Sequence, residues 1–236
     1  MNPNDPNIYL IEIVADRLGD ELCKELVFIG GAVTGLLITD PAMPSIRPTE
    51  DVDVICRVLT LTEYHRIEAR LRSRGFVQDL SEDGPICRWR VADLRSVIVD
   101  VMPTLESILG FSNHWYPLAL ETAVPTQLPS GHEIRLINAP VFVATKLEAF
   151  AGRGKGDFLS SHDLEDLLAV VDGCATLLDE CKASTPELRA YLAVQFGELL
   201  MTSAFVEALS GHLPGDAASQ ARLPDLLGKL QQLAKL

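Results

Sequence analysis

The chain has 236 residues, 47% of them hydrophobic and 22% charged, enough for one large domain or two small ones around a real core. Its formal net charge of -13 argues against a generally basic surface for nucleic acid or anionic membrane. No apolar run reaches the ~20 residues of a membrane span, and residues 1–6 lack the basic start and apolar core of a secretory signal. The five cysteines are scattered without metal-ligand spacing and read as reduced thiols. A cytoplasmic protein with no membrane partner is expected.

Ile11, Val14, Leu18 and Leu22 recur at helical spacing and predict an amphipathic first helix. Residues 26–29 form a short apolar run, a buried-strand candidate, which ends at Gly30-Gly31. A short helix is predicted over 32–39, starting at that glycine turn. Residues 40–50 hold three prolines and read as a loop. A strand follows over 51–56, and its period of two puts Asp51, Asp53 and Ile55 on one face. A helix is predicted over 61–72, then extended chain at 75–77. Strands over 86–91 and 97–102 turn around Asp93, with Ile98, Asp100 and Met102 on one face. Residues 105–120 fit neither period. A hairpin is predicted across Pro129-Ser130-Gly131, with arms over 124–128 and 133–137.

From Pro140 the pattern turns helical. Helices are predicted over 140–151, from the N-cap candidate Ser161 to about 171, over 185–209 and over 223–236. The chain therefore divides into an α/β half, residues 1–138, and a helical half, residues 139–236.

Carboxylates in β-like stretches are costly unless something cationic neutralises them. Asp51 and Asp53 lie ~6–7 Å apart along one strand. If Asp100 faces the same side from a neighbouring strand, three carboxylates converge and imply Mg²⁺ or a raised pKa. The alternative is a solvated strand face. A strand, the pair Gly30-Gly31 and a helix N-terminus can present backbone N–H groups to a phosphate, or can simply be a turn. Lys146 has Phe142, Val143, Ala149 and Phe150 as its helical neighbours. Its ammonium must snorkel out or meet an anion, either a triphosphate or an aspartate. Asp163 and Asp166 share a helix flank, where they can orient a cation or complement the helix dipole. Arg153 and Lys155 lie in a glycine-rich loop that is either a phosphate grip or a solvated connection.

In this order the motifs resemble the nucleotidyltransferase superfamily related to DNA polymerase β: an apolar strand, a glycine pair, an Asp-x-Asp strand and a third acid on a later strand. The nearer resemblance is to the AbiEii-type toxin nucleotidyltransferases, whose Arg-x-Thr-x-Asp-x-Asp pattern is matched by Arg47, Thr49, Asp51 and Asp53. Their later Lys, basic loop and Asp-x-x-Asp helix are matched by Lys146, Arg153/Lys155 and Asp163/Asp166. The likeness runs over residues 26–172. Gly31 stands where one branch of the superfamily has serine, and Ser161-His162-Asp163 stands where an Arg-Asp pair is common.

The resemblance implies a mixed sheet with flanking helices followed by a helical domain. It also implies transfer of a nucleoside monophosphate from ATP, GTP or CTP to an acceptor hydroxyl. Asp51, Asp53 and Asp100 would be ligands of two Mg²⁺ ions, with Asp100 alternatively the general base. Gly30, Gly31, Arg47, Thr49, Arg153 and Lys155 would bind the nucleotide. Lys146 would contact phosphate, and Asp163 and Asp166 would line the same cleft. The acceptor implied is tRNA, with an antitoxin protein as partner. A small molecule or a protein is the alternative acceptor, and a degenerate binding or regulatory protein is the alternative to an enzyme.

Overall fold

The computed structural model describes residues 5–81, 85–154 and 156–236. In chain order the helices and strands are α1 (Ile8–Glu25), β1 (Val27–Ile29), α2 (Thr34–Leu37), β2 (Asp51–Cys56), α3 (Leu61–Ser73), β3 (Phe76–Gln78), β4 (Arg88–Val91), β5 (Leu94–Pro103), α4 (Glu106–Leu109), α5 (Tyr116–Thr122), β6 (Val124–Gln127), β7 (Glu133–Leu136), α6 (Ala139–Arg153), α7 (His162–Gly173), α8 (Leu177–Ala183), α9 (Pro186–Met201), α10 (Ser203–Ala208), α11 (Ala217–Gln220) and α12 (Leu223–Leu233). The α/β class with a helical C-terminal part is as the sequence predicts. The ambiguous stretch 105–120 holds two short helices.

The chain forms two compact units. The sheet unit comprises Pro6–Val33 and Pro48–Asn138, and the helical unit comprises Thr34–Arg47 and Ala139–Leu236 together with Asp5. One break between the units falls between Asn138 and Ala139, and residues 34–47 belong to the helical unit. Hydrogen bonds explain that membership. The Gly173 carbonyl, at the end of α7, accepts from the backbone N–H of both Thr39 and Asp40 at 3.0 Å. Arg222 then donates to Asp40 at 2.7 Å and to Asp172 at 2.6 Å. The sequence predicts a helix over 32–39 and, from its prolines, a loop over 40–50, and nothing local marks partners more than a hundred residues away.

All seven strands form one sheet in the sheet unit, in the order β3-β4-β5-β2-β1-β7-β6. β2 runs parallel to β5 and β1 parallel to β7, and the other pairs are antiparallel. The β-branched residues of β2 fit a pleated, covered surface: Val52, Val54 and Ile55 are fully buried. Each such side chain contributes about 1.5–3 kcal/mol relative to exposure. α1 buries Ile11, Val14, Leu18 and Leu22, the stripe its sequence spacing predicts. It breaks at Gly19, whose φ of 71° lies in the left-handed region. There the Arg74 guanidinium donates to the carbonyls of Arg17 and Leu18 at 3.0 Å.

In the helical unit α7 starts at the predicted Ser161, whose hydroxyl accepts from the Leu164 N–H. Leu164, Leu167, Leu168 and Val171 form its buried stripe. All five cysteines are buried and none forms a disulfide. Burial pushes the thiols of Cys23, Cys56, Cys87 and Cys181 up to about 12, which excludes them as ready nucleophiles. Among the described residues no single helix is long and apolar enough to cross a membrane. α9 and the segment 203–212 reach that length only as a pair bent by 85°.

Candidate active site

The sheet register builds the site. Asp53 on β2 lies beside Asp100 on the parallel strand β5, and Asp100 lies beside Arg88 on the antiparallel strand β4. Side-by-side residues on adjacent strands point to the same face. Asp51, two residues from Asp53, shares that face. The structure thus sets the three carboxylates on one face of the sheet and adds a guanidinium that bridges Asp51 and Asp100. Arg88 Nε donates to Asp100 Oδ1 at 2.9 Å, and its terminal Nη2 reaches Asp100 Oδ2 at 2.8 Å and Asp51 Oδ2 at 3.1 Å. The hydrogen bonds to Asp100 raise the Arg88 pKa further above its already high value.

Asp53 faces the glycine turn. A Cβ built on Gly30 would fall 1.9 Å from Asp53 Oδ2, and Gly30 has a φ of 75°. Both the conformation and the space therefore require glycine there. Gly31 opens a 3₁₀ turn over Gly31–Val33. The helix predicted over 32–39 is reduced to that turn and the four-residue α2, which belongs to the helical unit. One turn sums too few peptide dipoles for the expected phosphate-binding terminus. What remains at the glycine pair is a left-handed Gly30 packed against the Asp53 carboxylate.

Thr49 holds Asp51. Its hydroxyl donates to Asp51 Oδ1 at 3.1 Å, while its backbone N–H donates to the Asn7 side-chain oxygen at 2.9 Å. Asn7 is buried and was not singled out in the sequence, since nothing local marks a side chain whose partner is 42 residues away. Thr49 is thus placed to orient an acid.

The other predicted residues gather in the helical unit. Lys146 Nζ donates to Asp166 Oδ2 at 2.6 Å and to Asp163 Oδ1 at 3.3 Å, and all three residues are buried. Arg153 adds two hydrogen bonds of 2.8 Å to Asp163. Arg47 lies 3.3 Å from Glu165 and 3.7 Å from Asp166. The aspartate alternative for Lys146 is therefore the one observed. Burial acts to raise the Asp163 pKa, but the Arg153 hydrogen bonds and the Lys146 and Arg153 charges outweigh it and hold the carboxyl below its usual range. Arg47 and Thr49, neighbours in one motif, belong to different units. Lys155 lies outside the described residues.

This unit also contains a cavity of about 280 Å³ lined by Thr34, Ile46, Arg47, Asp166, Asp172 and Leu226, among others. The Thr34 hydroxyl there is buried without a hydrogen-bond partner.

The acidic strand face carries the donors that a divalent cation calls for. The donor set is oxygen-only, as Mg²⁺ prefers. Asp53 lies in a cradle that a Cβ would fill, and Asp51 and Asp100 share its face. In kind and facing, the residues fit. As they stand, however, no three His, Cys, Asp or Glu side chains among the described residues are grouped to hold a metal ion. Arg88 engages both oxygens of Asp100 and one of Asp51.

Residues 66–95 of the sequence are rich in arginine, and five of these side chains are engaged within the sheet unit. Arg70 pairs with Glu25, Arg72 stacks 5.0 Å from the Trp89 ring centre, and Arg90 meets Asp79 at 2.9 Å. With Arg74 on backbone carbonyls and Arg88 on two aspartates, no continuous basic stripe forms from these five.

No family model matches the chain, and no curated protein matches it. Among solved structures, it is similar to an antigenic nucleotidyltransferase-like protein from Paracoccidioides brasiliensis. That match has 20% identity, covers 88% of this chain and 94% of the other, and has a TM-score of 0.47. A second similar structure is JHP933 from Helicobacter pylori, with 12% identity, 97% and 92% coverage and a TM-score of 0.47. Likenesses this distant decide nothing about chemistry, so the functional reading rests on the residues of the face.

Proposed function

We propose that the protein is a nucleotidyltransferase that moves a nucleoside monophosphate from a nucleoside triphosphate to an acceptor hydroxyl. The observation that carries this reading is the pairing of Asp53 with Asp100 across parallel strands, on the same face as Asp51 and with Asp53 against the Gly30 turn. In the reaction the acceptor oxygen forms a bond to the α-phosphorus, the bond from that phosphorus to the bridging oxygen breaks, and pyrophosphate leaves. The acceptor proton passes to a carboxylate of the face or to water. Asp51, Asp53 and Asp100 would hold Mg²⁺, which when bound supplies positive charge at the transferring phosphoryl group. Asp100, tied to Arg88, is either a ligand or the base. Thr49 orients Asp51, and Gly30 lets the Asp53 carboxylate pack against the turn.

The cluster of Lys146, Asp163, Asp166 and Arg153 has a structural part in this reading, because its charges satisfy one another. A small-molecule or protein hydroxyl is favoured as acceptor over tRNA, since Arg70, Arg72, Arg74, Arg88 and Arg90 already have partners. A toxin role with an antitoxin partner would require RNA labelling, and a purely regulatory role would require its absence with every acceptor.

The test is transfer of label from each α-³²P nucleoside triphosphate, with Mg²⁺, to tRNA, to hydroxyl-bearing small molecules and to protein. Transfer that disappears in Asp53→Asn is expected. Absence of both transfer and triphosphate binding would overturn the enzyme reading, and labelled tRNA would overturn the acceptor preference.

A further inference from the structure

Arg88 is the cation that hydrogen-bonds Asp51 and Asp100 on the acidic face, while Arg90, two residues on along the same face of β4, is held by Asp79. The place of Arg88 has a structural cause. The β4–β5 hairpin begins with Val91 beside Leu94, and the register then shifts between Val91 and Arg90. Without that irregularity, counting back from the turn would set Arg88 beside Val97, on the opposite face. The bulge sets it beside Asp100 instead. Its guanidinium then makes a two-point fork with Asp100 and reaches Asp51 with the same Nη2. Fork geometry of this kind is a strong, charge-assisted contact. The side chain is only 23% exposed, and that of Asp100 only 9%, so solvent screens the pair weakly.

We propose that Arg88 is the resident counter-cation of the carboxylate face, which a divalent cation must displace in order to bind Asp51 and Asp100. This rests on the nucleotidyltransferase reading. The same carboxylate oxygens cannot accept the guanidinium fork and coordinate an ion at full strength. A free divalent cation therefore meets an occupied site, and its affinity is set by the difference between two cations. Arg88 also keeps the buried Asp100 and the half-buried Asp51 from repelling each other when no metal is present. It is a positioning residue, since it acts on the ligands and not on the reacting atoms.

The experiment is Mn²⁺ titration of the full chain without nucleotide, read by electron paramagnetic resonance, in wild type, Arg88→Gln and Arg88→Lys. Arg88→Gln is expected to bind Mn²⁺ about tenfold more tightly than wild type, the equivalent of one displaced ion-pair contact. Its melting temperature is expected to fall without metal and to recover with Mn²⁺ more than that of wild type. Arg88→Lys keeps the charge but loses the fork, so it falls between the two, and it carries the test if Arg88→Gln does not fold. Addition of Asp100→Asn should abolish the gain. Equal affinity in all forms, or weaker binding in the Arg88 variants, overturns the proposal. Because the readout is binding, failure here with intact nucleotide transfer leaves the enzyme reading standing, and tightened binding without transfer does the reverse.

Discussion

The two units neutralise buried acids in opposite ways. On the sheet face one guanidinium, Arg88, serves two carboxylates, Asp51 and Asp100. In the helical unit each carboxylate has two cations: Asp163 meets Lys146 and Arg153, and Asp166 meets Lys146 and Arg47. A carboxylate with two cations has little left to offer a ligand, whereas one cation shared between two carboxylates can be exchanged for a more highly charged one. The difference teaches that a buried ion pair marks chemistry only where the negative charge is under-neutralised, and structure where it is not.

The strongest way to break this comparison is Lys146→Ala. If the helical cluster is structural, removing the shared cation costs about 3–5 kcal/mol, because Asp163 and Asp166 then face each other across one missing charge. Urea denaturation reads it, and an unchanged midpoint with lost transfer would move Lys146 into the chemistry. The reverse test is Asp53→Asn on the sheet face. Transfer activity should fall at least about a hundredfold, with a melting temperature close to wild type. A stability loss with activity intact would make the acidic face the structural one.

Gly30→Ala probes the cradle. A side chain there meets the Asp53 carboxylate at a φ of 75°, so about 1–3 kcal/mol of stability should be lost along with activity. Denaturation together with turnover checks both losses.

The pH response is smaller. The folded-state pKa of Asp163 lies below its unfolded value, so its stabilising share is present above about pH 4 and is lost as pH falls toward the folded pKa. Melting curves from neutral pH downward should therefore steepen below about pH 4 in wild type, and less so in Asp163→Asn. The smallest effect expected is that of Thr49→Val, about 1 kcal/mol or less from one lost hydrogen bond to Asp51, with a modest drop in turnover.

Much of the sheet was legible in the residues because its signals are local. The alternation Asp51-Val52-Asp53-Val54 gives the strand and its two faces, and β2 runs over the residues expected. Ser161 gives the start of α7, and Leu164, Leu167 and Leu168 give its buried stripe. The part of residues 34–47 was not legible, since their hydrogen bonds join them to Gly173, Ala175 and Arg222. The short α2 was over-read from a glycine pair that makes a 3₁₀ turn instead.

By itself the sequence determined which acids share a face, because strand period two leaves Asp51 and Asp53 no other choice. It also determined that Lys146, set in an apolar stripe, needed an anion. Which anion it meets was decided only in three dimensions, where α6 and α7 pack together and set Asp163 and Asp166 beside its ammonium. The seat of Arg88 was decided there too. A bulge that shifts the register by an odd number of residues turns a side chain from one face of the sheet to the other, and no periodicity in residues 88–100 announces where that bulge falls.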